Sequence, residues 1–240
     1  MTGSLAAPSF RNVVGKLAKH YGPPQAPPAK GAFEMILWEN VAYLAGDEQR
    51  GEAFALLKKK VGTSPAKVLD ASKAALRAVA EHGILADRFA GKLRDVARIA
   101  LEEFDGDLDS VIAGPVPAAR KALQRFPGIG RPGAEKILLF LRRHASLAVE
   151  SNGLRVLTRL GIIRPEKSYA AGYALAQKAA ADELGDDFGV LITAHLLLRR
   201  HGQELCRRSG PACGRCPLAP LCLYLAERSA PASNSFKARP

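Results

Sequence analysis

The chain has 240 residues, enough for one large domain or two modest ones, and its 48% apolar and 24% charged residues are ordinary globular usage that argues against disorder. A net charge of +12 and a pI near 9.8 are not ordinary, and they point to a polyanionic partner bound through clustered Lys and Arg. With no run of about 18 apolar residues and no apolar signal segment, the sequence predicts a soluble, cytoplasmic protein with no membrane partner, in a reducing compartment where cysteines serve as ligands more readily than as disulfides.

Phe10 to Tyr21 is a short amphipathic stretch, with Val13, Val14 and Leu17 on one side, and Gly22 to Pro28 is a Pro-rich linker. Phe33 to Ala45 reads as a strongly apolar helix that carries Trp38, the sole tryptophan, beside Glu39, Asn40 and Tyr43. Asp47 to Val61 begins acidic and ends in three lysines, as the helix dipole prefers. Ser64-Pro65 caps a short helix, Ser72 starts another that Gly83 should stop, and Asp87 to Phe104 is long, amphipathic and rich in cations. Asp107 to Ala113 is short. Apolar residues recur at three and four rather than at two, which predicts an all-α chain.

Pro117 to Phe126 and Arg131 to His144 read as two helices joined by Pro127-Gly128-Ile129-Gly130. Glycines allow backbone angles a side chain would forbid, so this turn can offer N–H groups to a ligand. Together with the unpaired N–H groups opening the second helix they form a phosphate site, and Pro132 suits a first turn where no N–H is needed. Gly128, Ile129, Gly130 and Arg131 are the candidate DNA-binding residues of a helix-hairpin-helix, which grips backbone and is indifferent to base sequence. An ordinary αα-hairpin with a Gly-rich turn is the plainer reading.

Beyond the hairpin, Ser151 or Asn152 can cap a helix to Leu160 that Gly161 ends, Pro165 opens a helix to about Leu184, and Asp186 or Asp187 starts the last long one through His195 to Cys206. His195 reads as a packing residue. After Leu225 the chain is small, polar and Pro-containing, so residues 226–240 are expected to form a disordered tail. All four cysteines fall in Cys206-x6-Cys213-x2-Cys216-x5-Cys222. Four thiolates so grouped can wrap a zinc ion or a cubane iron–sulfur cluster, and a single C-x-x-C flanked by longer spacers favours the cluster; a disulfide pair is the bland alternative. Arg207, Arg208 and Arg215 would present positive charge beside them.

With these motifs in order, the chain resembles the endonuclease III branch of the helix-hairpin-helix (HhH-GPD) DNA glycosylases from about Phe33 to Cys222. The cysteine spacing matches that branch at each ligand of its [4Fe–4S] cluster. Phe126 to Arg131 matches its L-P-G-V-G-R type of hairpin, and Ala148 to Leu160 its A-V-D-T-N-x-x-R-V-x-x-R segment. The resemblance implies a helical barrel over residues 33–146 with the hairpin at about 117–144, and a second domain from residues 1–32 plus 147–225 that carries the iron–sulfur loop 206–222. DNA would lie across the groove between them. It implies a monomeric base-excision-repair glycosylase acting on double-stranded DNA with a damaged or mismatched base. A non-catalytic DNA-structure-binding protein that kept the hairpin and the cluster is the alternative.

Two positions depart from the family. The lysine that attacks the sugar in bifunctional members is replaced by Pro132, and the catalytic aspartate aligns with Glu150, one methylene longer. Breaking an N-glycosidic bond builds positive charge on the deoxyribose, which a fixed carboxylate stabilises while it orients or deprotonates water. Glu150 is the candidate catalytic residue, against a plain helix-start glutamate that suits the dipole. Hydrolysis without strong AP-lyase activity follows. The extruded base needs an aromatic face and polar edges, and Trp38, Glu39, Asn40 and Tyr43 are the candidate base pocket.

Overall fold

The structure is a computed structural model that describes residues 6–229. Among these it contains thirteen α-helices, two 3-10 turns and no strand. In chain order the helices are α1 Phe10–Tyr21, α2 Gly31–Asn40, α3 Asp47–Lys60, α4 Pro65–Asp70, α5 Lys73–Ala80, α6 Ala86–Phe104, α7 Leu108–Ala113, α8 Val116–Leu123 and α9 Arg131–Phe140. They continue with α10 Ser151–Leu160, α11 Tyr169–Leu184, α12 Phe188–Glu204 and α13 Leu223–Ser229, with the 3-10 turns Cys213–Arg215 and Ala219–Leu221 before the last.

Residues 25–148 form one compact unit, and the described residues 6–24 and 149–229 form the other. The first unit is built around α2. Ala32, Phe33, Met35, Ile36, Leu37, Trp38 and Asn40 are all buried, so the helix is apolar on every side, as a central helix must be. Helices α3, α6, α7 and α9 pack on it. Their Phe54, Leu57, Leu93, Val96, Leu108, Ala134 and Ile137 complete a continuous core. The Asp109 carboxylate from α7 accepts from the Ala32 N–H at 2.8 Å, which satisfies one of the orphan donors that open α2.

The unit boundary falls earlier than the resemblance implies, at residue 24 rather than 32. The Pro-rich segment is not a free linker: Lys58 Nζ donates to the Pro28 carbonyl at 3.0 Å and Ala29 packs on the core. The return crossing lies at 148/149 rather than 146/147.

In the second unit α12 is the centre, with α1, α10 and α11 against it. Helix α10 approaches α12 very closely. A Cβ at Gly153 would sit 2.7 Å from Val149 Cγ2 and 3.2 Å from Leu198 Cβ, and one at Gly202 would sit 2.6 Å from the Asn152 carbonyl oxygen, so backbone contact demands the glycine at 202 and side-chain packing favours the one at 153.

Several ends differ from the sequence reading. Helix α11 begins at Tyr169, not at Pro165, because the Ser168 hydroxyl caps it by accepting from the Ala171 N–H. Helix α9 stops at Phe140, and Arg142 turns left-handed (φ 55°). Neither Ser151 nor Asn152 caps α10; Glu150 holds that place in extended backbone. The expected tail is helical from 226 to 229, and its remainder lies outside the described residues. His195 is buried in α12.

Candidate functional site

The hairpin is the turn between α8 and α9. Phe126 and Ile129 plug it into the core, and the Ile129 N–H is spent on the Phe126 carbonyl at 3.1 Å. Ile129 therefore anchors the turn and has no amide to offer a ligand. Behind it lies Glu135, a buried carboxylate paired to Arg131 Nε at 3.1 Å and Arg120 Nε at 3.3 Å, which ties the two helices together. Gly128 is left-handed (φ 82°), and a Cβ there would stand 3.2 Å from Asn40 Oδ1. Gly130 is extended, and a Cβ there would meet only Pro132 Cδ, at 3.9 Å. The fold demands a glycine at 128 but not at 130. Among the described residues the N–H groups of Gly128, Gly130, Arg131 and Gly133 have no recorded acceptor, so the turn and the first turn of α9 present a row of donors.

The four candidate pocket residues on and after α2 meet different neighbours. Trp38 is buried edge-on against Phe54, with Arg50 over its ring at 5.8 Å. Asn40 is buried, its amide donating to the Ile36 carbonyl. Both belong to the core, because α2 is buried on every side. Glu39 faces α9 and binds Lys136 Nζ at 2.6 Å. Tyr43 is partly exposed and stacks on Phe89 at 4.5 Å.

Next to Tyr43 lies a feature that sequence reasoning missed. Leu44 and Leu85 both adopt left-handed backbone, at φ 57° and 59°, although neither is glycine. Leu44, Ile84 and Leu85 are all exposed, and the Ile84 N–H donates to the Tyr43 carbonyl at 3.1 Å, so two strained turns are pinned together with apolar tips outward. Gly83, expected only as a helix stop, packs against the Tyr43 backbone and makes this possible. The signal available in the sequence was Ile84-Leu85 directly after a glycine at a helix end.

In the second unit, Glu150 opens α10 with its side chain 31% exposed. Asn152 Nδ2 donates to Glu150 Oε1 at 3.0 Å and Arg199 Nε lies 3.4 Å from the same oxygen, which leaves Oε2 without a recorded partner among the described residues. Asn152 is in turn held by Arg155, whose guanidinium also donates to the Gly202 and Cys206 carbonyls. One turn on, Arg159 donates to the Arg207 and Arg208 carbonyls and reaches Cys206 Sγ at 3.4 Å. Helix α10 thus fixes a carboxylate at its start and the cysteine loop along its length.

The four cysteines line one small pocket with Arg159, Leu205 and Leu225, and all four are free thiols. Burial, with the other three cysteines adding to it, pushes the Cys216 thiol up to about 11 despite the Leu218 N–H. Four sulfurs so placed need positive charge to be held as thiolates. Among the described residues no three thiol, imidazole or carboxylate groups converge on a point one ion could occupy. His201, which sequence reasoning also missed, is buried, with Nδ1 3.1 Å from the Tyr21 hydroxyl and Nε2 3.4 Å from Cys216 Sγ. Burial and the neighbouring His20 pull it down to about 4, so it is neutral and can pass an N–H to the sulfur while accepting from Tyr21. A histidine five residues before the first cysteine was the available signal.

No family model matches the chain. Endonuclease III of Escherichia coli is 27% identical over 192 residues, covering 80% of this chain and 83% of that one. Among solved structures, a trapped endonuclease III–DNA covalent intermediate superposes with a TM-score of 0.71 at 19% identity, covering 92% of this chain and 97% of the other. In sequence and in fold the chain resembles the endonuclease III-like glycosylases. A thermostable thymine-DNA glycosylase has the same fold, with a TM-score of 0.70 at 16% identity over 91% of this chain and 97% of that one. Within this endonuclease III-like framework Pro132 lies in the first turn of α9, and the nearest downstream lysine on that helix, Lys136, is occupied by Glu39.

Proposed function

We propose that this chain is a base-excision-repair DNA glycosylase that extrudes a damaged or mispaired base from double-stranded DNA and hydrolyses its N-glycosidic bond. The observation that carries the reading is the state of Glu150. A helix-start glutamate that merely suited the dipole would need no partners, whereas this one is held by Asn152 and Arg199 through one oxygen, with the other free for water or sugar. Its role is to stabilise charge developing on the deoxyribose and to orient or deprotonate the attacking water. With Pro132 where an amine would stand, and Lys136 bound to Glu39, no Schiff base is formed on α9.

The rest of the machinery follows from the residues. The amides at Gly128, Gly130 and Arg131 hold backbone phosphate whatever the sequence. Leu44, Ile84 and Leu85 supply the apolar wedge that fills a stack from which a base has left. Tyr43 and Glu39 are the members of the base pocket that retain an accessible edge.

Cys206, Cys213, Cys216 and Cys222 hold a [4Fe–4S] cluster. The four sulfurs line one pocket and would each supply one thiolate to the cluster, and the N–H groups of His201, Arg159 and Leu218 suit charged sulfurs. When bound, the cluster supplies the positive charge that keeps the loop folded.

Glu150→Gln preserves size and hydrogen bonding but removes the charge. It should lower single-turnover excision by at least about 100-fold, the scale of one lost electrostatic stabiliser, while duplex binding stays within twofold. Product strands should remain intact until alkali is added. A strong borohydride-trapped enzyme–DNA adduct refutes the hydrolytic reading, and full excision by Glu150→Gln moves the catalytic carboxylate elsewhere, with Glu39 next to test. Failure of the parent to excise anything from oligonucleotides carrying oxidised, alkylated, deaminated or mismatched bases leaves the non-catalytic binder.

A further inference from the structure

A groove runs along α10 on the face away from α12. Its main hollow, about 360 Å³, is lined by Ser151, Leu154, Thr158, Tyr169 and Arg208 together with the stems of Arg155 and Arg159. It continues into a second hollow of about 200 Å³ that shares Leu154, Thr158 and Tyr169 and is bounded by Arg164 to Ser168. Nucleotide-sized ligands occupy hollows of roughly this volume.

Three properties of the groove point to its occupant. Tyr169 is 41% exposed, but its ring is not loose: it lies 5.8 Å from the Tyr173 ring, and its hydroxyl donates to the Val149 carbonyl at 2.8 Å, so it cannot turn away without breaking that bond. The cations are of two kinds. The guanidiniums of Arg155 and Arg159 are spent on the cysteine loop, and Arg164 is paired with Glu166 at 2.7 Å. Lys167 and Arg208, by contrast, are exposed, and among the described residues their side chains have no ion pair or hydrogen bond. They lie at opposite sides of the groove, one just before Tyr169 and one in the cysteine loop. A fixed aromatic face flanked by two uncommitted cations matches a strand, which carries a phosphate on each side of every base.

We propose that this groove is a subsite for one unpaired nucleotide of a DNA strand, its base stacked on Tyr169 and its flanking phosphates held by Lys167 and Arg208. The proposal rests on the chain being a DNA enzyme, and it adds a contact distinct from the hairpin and from the extruded target base.

Photo-cross-linking tests it directly, using a short oligothymidylate in which one base is 5-iodouracil, a group that couples to an aromatic ring stacked on it. Cross-links should map to the peptide containing Tyr169. Tyr169→Ala should raise the Kd for that oligonucleotide by about tenfold, as loss of one stacked base implies, with duplex binding changed less than twofold. Tyr169→Phe, which keeps the ring but loses the Val149 bond that holds it, should bind the strand more tightly than Tyr169→Ala and no more tightly than the parent. Lys167→Glu should weaken the strand as Tyr169→Ala does.

Cross-links confined to other peptides overturn the subsite, as does parental affinity in Tyr169→Ala and Lys167→Glu. Competition by inorganic phosphate as effective as by the oligonucleotide would make the groove an anion site and overturn the strand reading. Duplex binding that Gly130→Val weakens, with no affinity for the oligonucleotide, sinks this proposal alone; absence of both affinities sinks the DNA reading with it.

Discussion

The two hairpin glycines look alike in the sequence and differ in the structure. Gly128 needs its positive φ and lies against Asn40, so Gly128→Ala should destabilise the free protein by about 1–2 kcal/mol, seen as a lowered midpoint in urea. At Gly130 a Cβ would make only an ordinary contact with Pro132 Cδ, so Gly130→Val should leave that midpoint in place and instead weaken binding to damaged and undamaged duplex alike, by tenfold or more. Parental duplex affinity in Gly130→Val would make the hairpin purely structural. Glu34 shows how a helix-start carboxylate can be worth more than its dipole. Burial resists its ionisation, but the Thr63 hydroxyl, the Lys30 N–H and Lys58 together outweigh that and hold its pKa below the usual range. A depressed folded-state value means the stabilisation is fully present above the unfolded pKa, about 4.3, and fades as pH falls through the folded one. Glu34→Gln should therefore cost about 1 kcal/mol near neutrality, and the gap to the parent should close in acid. A gap that stayed constant down to pH 2 would show that the charge contributes nothing. What the sequence hid at this scale was conformational: the left-handed backbone of Leu44 and Leu85 is not written in their residue type, and the spacing of His201 from Cys206 does not reveal that Tyr21 lies beside it.

Elements were legible where hydrophobic period and caps agreed. Ser64, Ser72 and Asp187 cap helices through their side chains as expected, and α6 and α12 span nearly the expected residues. Starts and stops were misread where tertiary contact overrode local preference. Asn152 is a good cap by type, yet its amide serves Glu150 and Arg155 instead. Trp38 and Asn40 read as a polar-edged aromatic stripe, and both side chains are buried, whereas Glu39 of the same helix reaches Lys136. The cysteine loop is the element least able to hold itself: between Cys206 and Cys222 only Leu218 is buried. Hydrogen bonds from Arg155 and Arg159 hold its first residues, and the proposed ligation would order the rest. Purified protein should be brown, with about four irons and matching sulfide per chain. Cys213→Ser should lose the visible absorbance and open amides 206–222 to hydrogen exchange, leaving amides of α2 and α6 protected. Stoichiometric zinc without iron in anaerobically prepared protein would refute the cluster.

At the scale of the whole chain, the +12 charge sets how strongly the proposed DNA partner would be held but not where. Many cations are already committed. Arg98 is divided between Asp95 at 3.0 Å and Glu102 at 3.4 Å, Arg125 is paired with Glu103, and Lys178 with Asp182. Others, Arg208 and Lys167 among them, are uncommitted and free to displace counterions from phosphate. Net charge alone predicts that losing any one cation changes binding equally, whereas the structure predicts a division between the two sets. For a footprint of about six phosphates, log K for duplex with an unpaired flank should fall with log salt at a slope near −5. Arg208→Ala should make that slope shallower by about one, since one phosphate contact is lost. Arg98→Ala should leave it within error of the parent, because its guanidinium already serves two carboxylates on its own helix. Equal slopes for the two variants would mean that diffuse charge governs binding, and the assignment of phosphates to particular side chains would have to be withdrawn.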